Sequence, residues 1–191
     1  MICWNKIEDF HIEEPTALSL GKFDGVHRGH EALIEHLLEK KKEGLKAVVF
    51  TFDIPPKKLT ENNNYRVLST NKEKQEILKE RGIDYLLECP FTKEVMCMEP
   101  EAFVAWIVKS LHVKSMVVGS DFRFGHNRKG DHILLEKLSA TYGYTLRVVD
   151  KIQYGGTDIS SYVCGREQIN KRTIVGKGQM ICRWYSVFCK E

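Results

Sequence analysis

Thr16-Ala-Leu-Ser-Leu-Gly-Lys-Phe-Asp-Gly-Val-His-Arg-Gly-His30 sets an apolar run directly against a glycine-rich turn that carries two histidines into the start of a helix. Residues 17–20 read as a buried strand. Gly21, Gly25 and Gly29 keep the backbone bare where an anion would have to approach. A helix beginning at this point adds unpaired backbone N–H groups and a positive dipole end. His27 and His30 are three residues apart, so both imidazoles face the same way from one helical turn. Strand, bare turn and helix entrance in this order are suited to holding the phosphates of a nucleotide.

The composition around this stretch narrows the function classes. At 191 residues, with 42% hydrophobic and 29% charged residues, the chain has the usage of a globular protein able to bury a proper core. A formal net charge of +3 supplies no basic stripe that would argue for nucleic acid. No apolar run approaches the roughly 20 residues that span a bilayer, and the first ten residues lack the apolar segment and small-residue cleavage site of a signal peptide. The expectation is a cytoplasmic protein with no membrane partner. Cys3, Cys89, Cys97, Cys164, Cys182 and Cys189 contain no C-x-x-C pair, so they read as reduced thiols without a zinc site, and no metal ligands are assigned.

Further apolar runs at 47–52, 83–87, 116–118 and 146–149 repeat the strand signal, and stretches of helical period separate most of them. The first helix, about 30–43, places Leu33, Ile34, Leu37 and Leu38 on one face and stops at Gly44. A second, about 70–81, turns Ile77 and Leu78 inward and stops at Gly82. A third starts near Pro100 and aligns Phe103, Val104, Ile107, Val108 and Leu111. A fourth covers about 131–142. Residues 53–68, with Pro55, Pro56 and Asn62 to Asn64, read as a long loop, either a functional lid or a disordered stretch. The predicted fold class is α/β, a Rossmann-like doubly wound parallel sheet covered by helices on both faces.

Such a sheet reverses strand order once, and ligands bind at the carboxyl ends of the strands beside that reversal. Two strands run into polar, glycine-containing loops: residues 21–30, and Gly119-Ser-Asp-Phe-Arg-Phe-Gly-His-Asn-Arg-Lys-Gly130. Neighbouring positions for these two strands would gather His27, His30, Asp121, Arg123, Arg128 and Lys129 around one crevice. Neither the G-x-G-x-x-G spacing of dinucleotide-binding enzymes nor the G-x-x-x-x-G-K-[ST] of P-loop NTPases is present, so the phosphate site is of a third kind. Asp121 is a candidate for orienting substrate or metal. Phe122 and Phe124 could face a flat aromatic ligand or belong to the core.

The wording of these loops is specific. Gly21-Lys-Phe-Asp-Gly-Val-His-Arg-Gly-His30 resembles the signature of the nucleotidyltransferase superfamily in the form typical of prokaryotic FAD synthetases. Thr51-Phe-Asp-Ile-Pro-Pro56 is similar to that family's T-F-[DE]-x-x-P loop, and Val117 to Gly125 with Gly130-Asp131 to its V-G-x-D-F-R-F-G-x-x-x-x-G-D segment. Asp158-Ile-Ser-Ser161 resembles the start of its I-S-S-T-x-x-R motif. The resemblance implies a nucleotidyltransferase fold and transfer of AMP from ATP to FMN, giving FAD and pyrophosphate, with Mg²⁺ assisting. It implies ATP contacts at Gly21, Phe23, Asp24, Gly25, His27, His30, Ser160, Ser161 and Arg166, of which His27, His30 and Arg166 would be catalytic. Flavin contacts would fall to Asp53, Asp121, Phe122, Arg123 and Phe124. The chemistry is consistent with this, since a phosphate nucleophile needs in-line positioning and charge neutralisation but no covalent protein intermediate.

Two departures from the family pattern stand out. In Ile159-Ser-Ser-Tyr-Val-Cys-Gly-Arg166 the arginine arrives one residue late, which on a helix turns its side chain by about 100°. Cys182-Arg-Trp-Tyr-Ser-Val187 resembles the usual junction with a riboflavin kinase domain, so the expected organisation is an adenylyltransferase domain over 1–161 and an extension over 162–191. Riboflavin kinase activity would come from another polypeptide or a missing C-terminal domain. Transfer to a different phosphorylated acceptor, or non-catalytic binding of flavin or adenine nucleotide, are the alternative readings.

Overall fold

Strand β2 (Thr16–Leu20) is buried at all five positions and lies inside a six-stranded sheet, with β3 (Lys46–Phe52) on one side and β5 (Val113–Gly119) on the other. The structure, a computed structural model, describes residues 1–24, 26, 28–53, 69–151, 153–154 and 157–158. Its remaining elements are β1 (Ile2–Trp4), α1 (Arg28–Lys42), α2 (Asn71–Glu80), β4 (Tyr85–Cys89), α3 (Lys93–Met96), α4 (Pro100–Ser110), α5 (His132–Tyr142) and β6 (Thr145–Val149). A short antiparallel pair, β7 (Gln153–Tyr154) and β8 (Thr157–Asp158), follows.

The strand order is β1-β4-β3-β2-β5-β6 and every neighbouring pair is parallel. From β2 onward the order reverses once, β3 and β4 lying on one side of β2 and β5 and β6 on the other, so the switch point falls between β2 and β5, as the sequence leads one to expect. Right-handed crossovers that proceed in opposite directions from this point place their helices on opposite faces. Leu18, Leu20, Val48, Phe50, Met116 and Val118 pack against Phe103, Val104 and Ile107 of α4 and Leu135 of α5. The alternate residues Ala17, Ala47, Val49, Leu86 and Val117 pack against Leu33, Ile34 and Leu37 of α1 and Leu78 of α2. Both faces are apolar because both are covered, and so the strands appear in sequence as unbroken hydrophobic runs.

Local chemistry sets the helix ends. Thr70 caps α2 through a reciprocal box: its hydroxyl accepts from the Glu73 N–H at 3.2 Å, and the Glu73 carboxylate accepts from the Thr70 N–H at 2.8 Å. Pro100 opens α4, and Asp131 caps α5 by accepting the Leu134 N–H at 3.0 Å, a bond that lowers the carboxyl's pKa. One strand begins later than its apolar run suggests. β4 starts at Tyr85 because Asp84 is occupied as a brace, its carboxylate accepting from the Ala47 N–H at 2.9 Å and from Lys41 Nζ at 2.7 Å.

Among the described residues one ion pair is buried. Lys74 Nζ of α2 lies 2.9 Å from Glu88 Oε1 of β4, with their side chains 6% and 7% exposed, and Gln75 Nε2 donates to Glu88 Oε2 at 2.7 Å. Removing one partner leaves the other charge uncompensated in the interior, so Lys74→Ala should destabilise the fold by about 3–5 kcal/mol. The double change Lys74→Met with Glu88→Leu should recover most of that loss, because it removes both desolvated charges together. Urea unfolding of the three proteins measures both effects.

Candidate functional site

The turn leaving β2 is fastened to the sheet before it reaches its histidines. The Gly21 N–H donates to the Phe50 carbonyl at 3.2 Å, and the buried Thr51 hydroxyl donates to the Lys22 carbonyl at 2.9 Å. Phe23 then adopts a left-handed φ of +47°, uncommon for a bulky residue, and Val26 has φ +21°. This bend sends the Phe23 ring into the core, fully buried. A Cβ at Gly21 would come within 3.1 Å of that ring, which would have to give by a few tenths of an ångström to admit a side chain there.

His30, the third residue of α1, lies against the same ring with centroids 4.8 Å apart and planes inclined by 27°. Its residue exposure is 9%, and stacking limits rotation of the imidazole. Asp24 is 5% exposed, and its Oδ1 accepts from the Ser69 N–H at 3.1 Å. The N-terminus of α1 thus brings the positive end of a helix dipole next to a stacked imidazole. Glu31, the acid in this first turn, pairs with Arg81 at 2.5 Å. Gly25 and His27 lie outside the described residues.

The second loop leaves β5, the neighbour of β2. Phe122 and Phe124 stack on one another with centroids 5.5 Å apart; Phe124 is buried against Phe103, while Phe122 is partly exposed. Main-chain bonds of 3.0 Å in each direction join Phe124 and Gly130 and close the loop. Gly125, at φ +70°, sits so close to Pro100 that a Cβ would lie 2.6 Å from the proline Cγ and 2.8 Å from its Cα. The His126 N–H donates to the Met98 carbonyl at 2.9 Å, while Glu99 meets His126 Nδ1 at 3.3 Å and Lys129 Nζ at 3.7 Å. Asp121 and Arg123 are exposed; Lys151 Nζ lies 3.4 Å from Asp121, and Arg123 Nη1 donates to the Phe122 carbonyl at 2.8 Å. The loop is a rigid shelf seated on the start of α4.

Asp53, at the exit of β3, accepts from the Phe91 N–H at 3.2 Å, and the neighbouring rings of Phe52 and Phe91 meet edge to face at 4.9 Å. The strand ends that bear His30, Asp53 and the 119–131 loop are consecutive in the sheet. Residues 54–68 and Ser160, Ser161 and Arg166 lie outside the described residues, as does the extension 162–191. Sequence reading places Pro100 at a helix start without its contact to Gly125, and it missed Ser69, for which the Ser-Thr-x-x-Glu cap was the available signal.

No group of three or more His, Cys, Asp or Glu among the described residues is arranged to hold a metal ion. The Cys89 thiol, at the end of β4, is not poised for attack: burial, with the Asp53 charge beside it, pushes its pKa up to about 12. Among the described residues no helix is long and apolar enough to cross a membrane. The arrangement suits anion binding at a helix entrance next to an aromatic shelf.

Comparison with known proteins agrees with this geometry. The chain is 38% identical over 152 residues to the bifunctional riboflavin kinase/FMN adenylyltransferase of Escherichia coli K12, covering 78% of this chain and 49% of that protein. It is 36% identical over 148 residues to the FAD synthetase of Listeria monocytogenes, covering 76% of this chain and 60% of that protein. The chain therefore spans about half the length of the E. coli protein. Among solved structures, one titled as a macrolide-efflux protein from Streptococcus pneumoniae superposes with a TM-score of 0.76 at 25% identity, over 87% of this chain and 57% of that one. Pantothenate synthetase from Thermus thermophilus shares the fold, with a TM-score of 0.56 at 16% identity, over 86% of this chain and 67% of that one. A family model described as FAD synthetase matches residues 9–163, and the chain belongs to the FAD synthetase family.

Proposed function

We propose that this chain adenylates FMN, transferring AMP from ATP to give FAD and pyrophosphate. The observation that carries the reading is the Gly21 to His30 turn, fastened to β3 and opening α1 beside the switch point between β2 and β5. An oxygen of the FMN phosphate forms the new bond to the α-phosphorus of ATP. The bond from that phosphorus to the bridging oxygen breaks, and pyrophosphate leaves with the electron pair. No protein nucleophile is needed, so the protein's work is alignment and stabilisation of charge on the departing phosphates.

In this reading ATP lies along Gly21, Gly25 and the entrance of α1, where His27 and His30 donate hydrogen bonds to its phosphates and Ser160, Ser161 and Arg166 complete the grip. Phe23 supports the turn from inside. FMN lies toward Asp53 and the shelf formed by Asp121, Phe122, Arg123 and Phe124, with Phe124 acting from the core side. Mg²⁺ accompanies ATP as a ligand of its phosphates, since such ions are commonly held by substrate phosphates with one or two carboxylates. Riboflavin kinase supplies FMN from another polypeptide or a further domain, as in the bifunctional relative.

Purified protein given ATP, Mg²⁺ and FMN should produce FAD and pyrophosphate in equal amounts by chromatography. Saturable FMN binding with no FAD would reject the reaction, and no interaction with FMN would reject the acceptor. His30→Ala should lower turnover by about a hundredfold or more while leaving the melting temperature near that of the parent. Gly125→Ala should lift the shelf from Pro100 and raise the KM for FMN by roughly tenfold, with the KM for ATP little changed in steady-state assays.

A further inference from the structure

Asp24 presents a physical contradiction within a nucleotide site. A carboxylate in the turn that receives a triphosphate adds like charge where negative charge must be accommodated. Yet Asp24 is 5% exposed, follows the left-handed Phe23, and accepts a main-chain N–H from Ser69, 45 residues further along the chain. Ser69 precedes Thr70, whose side chain is locked into the capping box of α2. The acceptor is therefore held by a donor on a rigid element, and α2 is itself packed on the sheet through Leu78.

We propose that Asp24 is a positioning residue whose carboxyl oxygen ties the phosphate turn to the start of α2, and that its negative charge is not what the site uses. The proposal rests on the ATP assignment made above. Backbone in the left-handed region at Phe23 stores strain that a free turn would release. Anchors at both flanks of Phe23 oppose that release: Thr51 holds the Lys22 carbonyl, and Ser69 holds the Asp24 carboxylate. Between them the Phe23 ring stays buried and supports the His30 imidazole stacked upon it. Loss of the Ser69 bond loosens one flank, so the support of the imidazole weakens although the sheet beneath is unaltered.

The expectation separates geometry from charge. Asparagine keeps an oxygen acceptor of the same reach for the Ser69 N–H and discards the charge; alanine discards both. Calorimetric titration with Mg²⁺-ATP, on parent, Asp24→Asn and Asp24→Ala proteins whose folding is checked by thermal melting, reads the difference without requiring turnover. Asp24→Ala should weaken ATP binding by about tenfold or more, and Asp24→Asn should stay within about threefold of the parent. FMN binding, measured by fluorescence quenching, should be alike in all three, a selectivity that general loosening of the fold does not produce. Equal weakening in the asparagine and alanine variants would overturn the proposal in favour of a role for the charge. Parent-like ATP binding by Asp24→Ala, or parallel losses for both substrates, would overturn it as well. If Asp24→Ala does not fold, the asparagine variant decides: ATP binding within threefold of the parent supports the tether, and a larger loss rejects it. FAD formation by the parent is scored separately: a parent that binds ATP but makes no FAD defeats the adenylyltransferase reading alone, whereas one that does not bind ATP defeats both.

Discussion

Everything at the carboxyl edge of this sheet depends on β2 being paired along both sides and covered on both faces. Thr16 to Leu20 have no exposed position, and the residues that follow must leave the strand at a place fixed by β3 and β5. Thr16 is itself held, its hydroxyl donating to the Leu111 carbonyl at 2.8 Å. A strand constrained in this way delivers its terminal turn with little freedom of position. The bonds from Thr51 to Lys22 and from Ser69 to Asp24 then convert a fixed exit into a fixed path. Preorganisation of this kind lets a helix entrance act on phosphate charge without rearranging as the charge develops.

The second half of the edge is built by a different means. The 119–131 loop runs through a single 3-10 turn at His126–Arg128 before Asp131 caps α5, and its middle is seated on the start of α4. Gly125 lies flat against Pro100, Phe124 reaches back to Phe103, and Gly130 leaves space for the Phe124 ring, which a Cβ would approach to 2.7 Å. Apolar packing thus holds the shelf, while its exposed rim carries Asp121, Arg123 and Lys129. Surface pairs such as Glu99 with Lys129 add little to this beyond orientation, since exposed ion pairs contribute on the order of 0–1 kcal/mol.

Much of this architecture was legible in the sequence because a doubly covered parallel strand leaves an unbroken apolar run. Four helices with clear faces were placed to within two residues, and Gly44 and Gly82 do follow helices with φ of +97° and +86°. The elements missed are those with no room for a period: the edge strand β1, the four-residue α3, and the β7–β8 pair, for which Gly155-Gly156 was the available turn signal. The first turn was readable because glycine and histidine at fixed offsets have few other uses. Its supports were not readable in the same way. Lys74 reads as a surface residue of a polar helix, yet it is buried beside Glu88. Asp24 reads as part of the loop's chemistry, and only the fold shows that its carboxylate meets Ser69. Partners brought together by tertiary packing leave no local pattern to detect.

The reversal of strand order also governs when the edge can come into being. Ser19 of β2 sits beside Val117 of β5, so these two neighbouring strands are separated by about half of the chain, whereas β2 pairs with β3 after a single crossover. Contacts between distant segments close late, because the entropy of a long loop must be overcome first. During synthesis, one hydrogen-bonding edge of β2 therefore waits for Val113–Gly119 to emerge before it is satisfied. An unpaired strand edge of this kind is a site where another chain can add, so pairing with β5 both completes the carboxyl edge and closes that rim.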